Sequence, residues 1–387
     1  MFQAIFNSLS GLFSFSKSLN TVSNNISNMN TPGFRGSDTF FSNINGGRGT
    51  SIAGEGMRTD AGDVRQTGNA TDVAVDGAGY FILRDEDGSL YYTRAGQFRF
   101  NEDGLLIDTV NEYQVMGIDG SGNLIPIDLD TYRTLAAQPT TRVKFSGNLA
   151  PGSATTTINT ITVFDASGIA HTLSATFTRN TATGAAPGSF LVVVKDEAGT
   201  TVASGEIRYN TDGTPQATFN ELTATLSYGG TSQTVTLNFG TPGALDGTMS
   251  LQGMATNISA KVEDGHGVLG ITSMKFDDKG VLQLVYSETE KRQGPQVALA
   301  IFPNESSLHL SGGRLISGTT VTEREIGRPG DPRFGRIAGG SLEMSNVDLT
   351  QEFADMIIIQ RGYQASSRVM TVSNEMIEQL YNSTRGG

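Results

Sequence analysis

The stretch SNNISNMNTPGFRG, residues 23–36, decides how this chain begins, because it closes one predicted helix and carries no charge before Arg35. No charged side chain precedes Lys17 either. Pro32 and Gly33 end the helical pattern, since proline cannot continue a helix and glycine is common just beyond helix ends. This acidic protein opens with an uncharged, partly apolar helix. We therefore predict that the surface of this helix is not fully covered in the single chain.

A heptad pattern runs up to this stop. Apolar and small residues follow alternating steps of four and three, at Ile5, Leu9, Leu12, Ser16, Leu19, Ser23 and Ile26. Burial of a few apolar side chains does not offset the entropy of ordering this segment, and Ser, Asn and Thr are mediocre helix formers. We therefore expect residues 1–30 to be largely disordered alone, and to fold against the C-terminal helix or neighbouring copies.

The C-terminal segment predicts a second helix. Ser345 and Asp348 precede an apolar-periodic run, and Gln351 and Glu352 lie in its first turn, which is an N-cap signature. The apolar residues form two stripes, the first at Phe353, Met356, Ile357, Gln360, Tyr363, Met370 and Ile377 and the second at Val369, Val372, Met376 and Leu380. A helix that is apolar on two sides is expected to be buried on two sides.

Composition bounds the remaining possibilities. Among 387 residues, 48 are glycine and only 17% are charged, a profile typical of a β-rich protein with many turns. The net charge of −12 disfavours nucleic acid and anionic membranes as partners. Cysteine is absent from the sequence, which excludes disulfides, thiolate catalysis and cysteine-based zinc sites. The sequence shows no transmembrane stretch and no Sec-type signal peptide.

The interior predicts strands joined by tight turns. Hairpin-type turns such as NEDG (101–104), DGSGN (119–123) and DDKG (277–280) separate alternating or apolar runs, which is typical of an all-β sandwich or barrel. The predicted fold class is therefore mainly β, with an inserted β domain and with terminal helices that pack as a coiled coil in the assembled state. The predicted domains are a helix at 1–30, an extended connector at 31–70, a discontinuous β domain at 71–146 and 270–343, an inserted β domain at 147–269 and a helix at 344–387.

Weaker motifs do not support a catalytic or ligand-binding site. Gly265, Gly267 and Gly270 spell GxGxxG, but a strand-like run follows where a dinucleotide site needs a helix. Asp85 and Asp87 lie in a turn that lacks the ligand positions of a calcium loop. The three histidines, His171, His266 and His309, are far apart, so we predict no metal and no cofactor. A β-rich hydrolase or glycan-binding module stays as an alternative of another class, although the acidic residues lie mostly in turns.

Four long motifs carry a resemblance to a known family. SNNISNMNTPGF (23–34) resembles the N-terminal signature of flagellar rod and hook proteins. TGNATDVAVDGAGYFIL (67–83) and YYTRAGQFRFNEDGLLID (91–108) resemble the β segment that these axial proteins share. The run from GSLEMSNVDL to IEQL (340–380) resembles their C-terminal signature.

Within this family, the length and the insertion favour the hook branch over the rod branch. ITVFDASGIAHTLSATF (161–177) is similar to the domain added in hook proteins, and residues 267–313 resemble the segment that returns from it. The chain departs from the family pattern at YSETEKRQ (286–293) and GGRLISGT (312–319). A distal rod or hook-associated axial protein is the alternative within the class.

The resemblance implies a structural, non-enzymatic subunit that polymerises into the curved tubular hook, the flexible joint between motor and filament. The implied partners are other copies of the chain, a hook cap protein, the distal rod protein, hook–filament junction proteins and a hook-length ruler, with no nucleic acid and no membrane insertion. The implied location is the extracellular part of the flagellum, reached by type III export without a cleavable signal.

The residues expected to make subunit contacts lie in the two terminal signatures. Asn24, Asn25, Asn28 and Asn30 serve either as helix caps or as packing groups, and we interpret Arg361 as a pairing group at a subunit contact. The full set of assembly residues is Ile5, Leu9, Leu12, Leu19, Asn24, Asn25, Ile26, Thr31, Pro32, Gly33, Phe34, Asn346, Val347, Asp348, Phe353, Met356, Gln360, Arg361, Tyr363, Met370 and Ile377.

Overall fold

The structure is a computed structural model that describes residues 2–44, 49–186, 188–305, 308, 310–311, 314–317 and 323–385. The chain forms two compact units. The terminal unit combines Met1–Arg133 with Ile271–Gly387, and the inserted unit is Thr134–Gly270.

The elements follow one another along the chain in three groups. The first part of the terminal unit contains α1 (Phe2–Ser27), β1 (Ser37–Asn43), β2 (Thr50–Met57), β3 (Val64–Gln66), β4 (Val73–Asp76), β5 (Tyr80–Arg84), β6 (Leu90–Thr93), β7 (Phe98–Phe100), β8 (Leu106–Asp108), β9 (Gln114–Ile118), β10 (Leu124–Pro126) and a 3₁₀ turn (Asp130–Tyr132). The inserted unit contains β11 (Thr134–Leu135), β12 (Arg142–Asn148), β13 (Thr155–Phe164), β14 (Ala170–Arg179), β15 (Ser189–Lys195), β16 (Thr201–Arg208), β17 (Glu221–Tyr228), β18 (Thr231–Asn238), β19 (Thr248–Met249), β20 (Ser259–Val262) and β21 (Leu269–Gly270). The chain returns through β22 (Ser273–Phe276), β23 (Val281–Val285), β24 (Lys291–Val297), β25 (Leu299–Ile301), β26 (Leu310–Ser311), β27 (Leu315–Ser317), β28 (Glu325–Gly327), β29 (Arg336–Gly339), β30 (Ser341–Glu343) and α2 (Leu349–Arg385).

The main sheet of the terminal unit combines strands from both parts of the chain. Its strand order is β22-β23-β24-β9-β5-β6-β27-β26, and β5 pairs antiparallel with β6, β9 and β25. Tyr80 and Ile82 on β5, Tyr92 on β6 and Met116 on β9 are fully buried in a core that also contains Phe302. The predicted mainly β fold class with two terminal helices is confirmed.

Two further pairings connect the C-terminal signature with the N-terminal part of the chain. Strand β29 pairs antiparallel with β4, and β30 pairs antiparallel with β3. Strand β30 ends five residues before α2 begins, so these ladders hold the start of the second helix next to the segment that follows the first.

The predicted turns are confirmed, because their side chains bond the backbone of the same turn. In DGSGN the Asp119 Oδ1 accepts the N–H groups of Ser121 and Asn123, each at 2.8 Å. These bonds, led by the backbone bond from Asn123, lower the pKa of Asp119. The Asp85 carboxylate closes its turn in the same way by accepting the N–H of Ser89 at 2.7 Å.

The inserted unit is built from two sheets that share one core. One sheet has the order β17-β18-β12-β19 with β20 beside β12, and the other has the order β13-β14-β15-β16. Phe145 and Phe239 from the first sheet stack at 4.8 Å between ring centroids, and Phe177 of the second meets Phe145 edge-on at 5.7 Å. Two sheets that pack face to face over aromatic and β-branched side chains form a sandwich-type core.

Two stretches differ in detail from the sequence-based picture. The predicted connector 31–70 contains an antiparallel hairpin, β1 with β2, because its glycines still allow alternating residues to pair. The predicted boundary assigns residues up to 146 to the discontinuous β domain, whereas the inserted unit begins at Thr134. Val143 and Phe145 therefore lie in the core of the inserted unit.

The weaker motifs lie in ordinary β structure. The run after the GxGxxG glycines forms β22 (Ser273–Phe276), as its alternation predicts. Among the residues that the structure describes, no three His, Cys, Asp or Glu side chains are grouped to hold a metal ion. His309 and part of 312–319 lie outside the described residues. Neither α1 nor α2, taken over their described lengths, is apolar enough to cross a membrane.

His171 on β14 is held between two acids. Its ring stacks on Tyr228 at 3.5 Å, and its nitrogens lie 3.0 Å from Glu197 Oε1 and 3.2 Å from Asp165 Oδ2. Burial lowers the pKa of His171, but the hydrogen bonds and charges of Glu197 and Asp165 outweigh it, so the pKa is raised above its usual value.

A raised histidine pKa makes the inserted unit less stable as pH rises. The stabilisation by protonated His171 is complete below the pKa of the unfolded state and is lost as pH rises through the raised folded-state pKa. We expect the unfolding temperature of this unit in the full chain, measured by calorimetry, to fall between pH 6 and pH 8. His171→Gln should flatten this slope, whereas Tyr228→Phe, which keeps the stacked ring, should preserve it. An equal slope in wild type and His171→Gln would contradict the assignment.

Candidate assembly surface

The two terminal helices pack against each other in opposite directions. Gly11 of α1 faces Ser366 of α2, where an added Cβ would lie 3.0 Å from the serine Oγ. Four residues further along α1, Phe15 meets Gly362, four residues back along α2, with 2.5 Å between its ring and an added Cβ. Glycine at both points allows the helices to approach closely. The predicted coiled coil of the assembled state remains a prediction.

The face that α1 buries consists mainly of small residues: Ser8, Gly11, Ser14, Ser18, Val22 and Asn25. The predicted apolar seam of Ile5, Leu9, Leu12, Leu19 and Ile26 lies about a third of a turn away at 100° per residue, and it is only partly covered. Small side chains remove little apolar area from water, so the contact between α1 and α2 adds little hydrophobic stabilisation. The apolar seam, which is more hydrophobic than the buried face, remains available to pack against another surface.

A polar clamp joins the two helices where they meet the β structure. Asn25, fully buried, donates through Nδ2 to the carbonyl of Ser37 at 2.9 Å and to Glu352 at 3.2 Å, and its Oδ1 accepts the Ser37 N–H at 3.0 Å. Glu352 is 0% exposed and forms an ion pair with Arg58 at 2.7 Å. One asparagine therefore links α1, β1 and α2.

Arg58 extends this clamp to the surface hairpin. It also pairs with Asp38 of β1 at 2.8 Å. The hydrogen bond to Asp38, the charge of Asp38 and the charge of Glu352 raise the pKa of Arg58 despite its partial burial. A carboxylate as buried as Glu352 needs such a partner, because an unpaired buried charge is costly.

The Thr-Pro-Gly turn fits against the β structure with no spare room. Gly33 has φ +71°, and a Cβ there would lie 2.2 Å from the backbone nitrogen of Ala95. Its N–H donates to the carbonyl of Glu343 at 2.8 Å, and the next residue, Phe34, is almost wholly buried. Only glycine combines this backbone conformation with this approach.

Glu343 is the centre of a second buried polar cluster, which we call the anchor. Its side chain is 1% exposed, and its two oxygens pair with Arg35 at 2.9 Å and Arg94 at 2.7 Å. The Gly62 N–H adds a bond to Oε1 at 3.0 Å. Arg94 also donates to the carbonyls of Val75, Gly77 and Gly79, and Arg35 to those of Thr59 and Asp60. One carboxylate of the C-terminal signature thus fixes both the N-terminal signature and the β segment.

Asn346 and Asp348 complete the connection to α2. Asn346 Oδ1 accepts the Gly36 N–H at 2.8 Å, and its Nδ2 donates to the carbonyl of Asp60 at 2.8 Å. Asp348 Oδ1 accepts the Thr350 N–H at 2.7 Å, so Asp348 is the predicted N-cap of α2. The helix start is therefore specified both locally and by contacts with the N-terminal signature.

Outward from the anchor, both helices expose apolar side chains. On α1, Phe2, Phe6 and Phe13 are between 54% and 81% exposed. On α2, the exposed apolar residues are Phe353, Ile357, Ile358, Tyr363, Val369, Val372, Met376, Leu380 and Tyr381. Apolar area arranged in stripes of this extent on a helix pair marks an interaction surface.

The structure separates the predicted assembly residues into three groups. Asn25, Gly33, Phe34, Asn346 and Asp348 make contacts within the chain. The exposed members are Leu9, Asn24, Phe353, Gln360, Arg361 and Tyr363, and the partly covered members are Ile5, Leu12, Leu19, Ile26, Thr31, Pro32, Val347, Met356, Met370 and Ile377. Their contacts with another copy stay a prediction.

Sequence reasoning missed the ionic residues of the anchor, Arg35, Arg94 and Glu343. It also missed Arg58 of the clamp and the role of Glu352 beyond the helix cap. The three-residue strand SLE of β30 carries no local signal that Glu343 is buried, because its partners lie far away in sequence. Phe6 and Phe13 lie off the heptad seam, which indicates that apolar groups of α1 face more than one direction, but neither belongs to the predicted assembly residues.

Three family profiles match the chain at the segments described above. The profile described as Flagella basal body rod protein matches residues 5–35. The profile Flagellar hook protein FlgE/F/G D1 domain matches 74–147, and Flagellar basal body rod FlgEFG protein C-terminal matches 338–383. All three profiles describe flagellar rod and hook proteins, so the chain is similar to these proteins at both terminal segments and at the first β segment.

Curated relatives over nearly the full chain are named as hook proteins. The chain is 28% identical over 409 residues to the flagellar hook protein FlgE of Salmonella typhimurium, an alignment that covers 97% of this chain and 98% of that protein. It is 26% identical over 438 residues to FlgE of Borreliella burgdorferi, covering 98% and 99%. The crystal structure of the Helicobacter pylori hook protein FlgE2 matches with a TM-score of 0.44 at 14% identity, covering 70% of this chain and 98% of that one.

Replacing Gly33 with alanine should destabilise the terminal unit by about 2–4 kcal/mol, because backbone strain adds to a clash with Ala95. Gly68→Ala is the matched control, since Gly68 has φ +80° but nothing within 4 Å of an added Cβ. It should cost about 1 kcal/mol, the strain alone. Urea unfolding of the soluble monomer, followed by circular dichroism, measures both. Equal losses would show that the close approach at Gly33 has no energetic weight.

Neutralising Glu343 should destabilise the terminal unit by about 3–5 kcal/mol, because Glu343→Gln leaves two buried arginines without their counter-charge. Glu112→Gln is the control, since Glu112 pairs with Arg99 at an exposed site, where a pair contributes about 0–1 kcal/mol. The same unfolding assay applies. A loss at Glu343 as small as that at Glu112 would mean that the anchor does not hold the signatures together.

Proposed function

We propose that this chain is a structural subunit of the bacterial flagellar hook, which polymerises with copies of itself through its terminal helices. The observation that carries this proposal is the near full-length similarity to hook proteins, combined with a pair of terminal helices whose apolar side chains are exposed. The hook is a tubular joint between the motor and the filament, and hook proteins are its subunits. The resemblance assigns that subunit role to this chain.

The composition of α1 supports the proposal that a second copy of the chain packs against its exposed face. Lys17 is the one charged side chain between residues 2 and 27, so many copies of α1 can pack together without charge repulsion. The small-residue contact with α2 adds little hydrophobic stabilisation, which leaves the apolar stripes free to pack between molecules. The inserted unit, by the same resemblance, lies in the part of the subunit that hook proteins add to the rod-protein plan.

The wider assignment follows the family. We infer a non-enzymatic protein of the extracellular flagellum, exported through the flagellar type III apparatus without a cleavable signal. Its partners would be the distal rod protein below, the hook cap protein during growth, hook–filament junction proteins above and the hook-length ruler. Each of these partners is a proposal for this chain.

Exposed phenylalanines of α1 provide the test. In the double variant Phe6→Ser, Phe13→Ser, the critical concentration for seeded polymerisation of the purified chain should rise on the order of a thousandfold. Burial of each phenylalanine side chain would contribute about 2 kcal/mol to the free energy of association. Each loss of about 1.4 kcal/mol raises the critical concentration by a factor of ten. Sedimentation of polymer grown from hook fragments measures this concentration.

Leu245→Ser is the matched control, because Leu245 is an equally exposed apolar residue of the inserted unit. It should leave the critical concentration within a factor of about two, since it removes no helix contact. Polymerisation of the double variant at the wild-type concentration would refute assembly through α1.

A further inference from the structure

Four charged side chains that follow the first three turns of α2 have no visible role within the chain. Arg361, Arg368, Glu375 and Glu378 are all exposed, and none forms an ion pair or hydrogen bond with the residues that the structure describes. They fall in two blocks, with the arginine block nearer the start of the helix and the glutamate block after it, while Arg385, the last residue of α2, is a fifth charge outside both blocks. Elsewhere in the terminal unit, charges such as Arg35 and Arg58 are paired.

The spacing places three of these charges on one line of the helix. Arg361, Arg368 and Glu375 follow one another at seven residues, two helical turns, which is about 10.5 Å along the axis. The line runs beside the exposed apolar stripe that contains Ile358, Val369, Val372, Met376 and Leu380. Charges that flank an apolar stripe are the arrangement that selects partner and register between packed helices.

We propose that these two blocks set the axial stagger between α2 helices of neighbouring copies, an inference that rests on the proposed self-assembly. Two copies that lie parallel with no shift bring arginine to arginine and glutamate to glutamate. A shift of about 12 residues, about 18 Å at 1.5 Å per residue, brings the arginine block of one copy beside the glutamate block of the next. The helix is complementary to a displaced copy of itself.

Such an interface repeats without closing on itself. Each copy offers a free glutamate block to one neighbour and a free arginine block to another, which is the property of a head-to-tail contact that builds rows. Each exposed pair is weak alone, but mismatched blocks place two like charges together at every contact along the row. The charges therefore select one stagger while the apolar stripe supplies attraction.

Charge-reversed copies test this proposal. The variant Arg361→Glu, Arg368→Glu has two acidic blocks, and the variant Glu375→Arg, Glu378→Arg has two basic blocks. Each alone should raise the critical concentration of seeded polymerisation at least tenfold, since every contact then joins like charges. An equimolar mixture should polymerise within a factor of about three of wild type, because each acidic copy can alternate with a basic one.

The same chain with all four substitutions, which exchanges the blocks, should also polymerise like wild type when fragments of its own polymer serve as seeds. Circular dichroism of the monomers should be unchanged, since the side chains are exposed. If either reversed variant polymerises alone as well as wild type, or if neither the mixture nor the exchanged variant recovers, the stagger proposal is overturned while self-assembly stands. Wild-type chain that does not extend hook fragments would overturn the proposed function, and this inference with it.

Discussion

The buried carboxylate of Glu343, held between Arg35 and Arg94, is the interaction on which the architecture of the terminal unit depends. Its two partners belong to two segments that are 308 and 249 residues away in sequence. A charge buried this deeply is tolerable only when all three groups are in place, so the contact couples the turn after α1, the shared β segment and the strand before α2. Because the clamp at Asn25 and Glu352 lies immediately outside it, the anchor also fixes where the two helices leave the β structure.

Beyond the anchor the balance of forces changes. Near the β structure the helices are held by buried polar bonds and tight glycine contacts, whereas further out they meet through serine and glycine and expose phenylalanine, isoleucine and valine. Little apolar area is buried between α1 and α2, and that area is the main source of stability for packed helices. A chain organised in this way has a well-packed β part and terminal helices whose apolar side chains are left exposed.

Local signals in the sequence predicted the local structure. Asp119 and Asp85 bond the backbone of their own turns, and Asp348 caps the helix that follows it, so neighbouring residues suffice to predict these features. The Glu343 pairings are long-range, and nothing near Glu343 in sequence indicates which arginines it meets. The heptad pattern of α1 leaves two partners open for the apolar seam, α2 or a neighbouring copy, and does not indicate which face of α1 meets α2. The structure places serines and Gly11 on that face, since close approach to α2 requires small side chains.

The central claim is that the terminal helices are held at the anchor and acquire a buried environment only between copies. Amide hydrogen exchange of the full chain, compared between dilute monomer and assembled polymer, tests it most directly. The account predicts slow exchange for the β segments and for residues next to the clamp in both states. It predicts fast exchange for the outer halves of α1 and α2 in the monomer, slowed on the order of a hundredfold or more in the polymer. Equally strong protection of both whole helices in the dilute monomer would contradict the account.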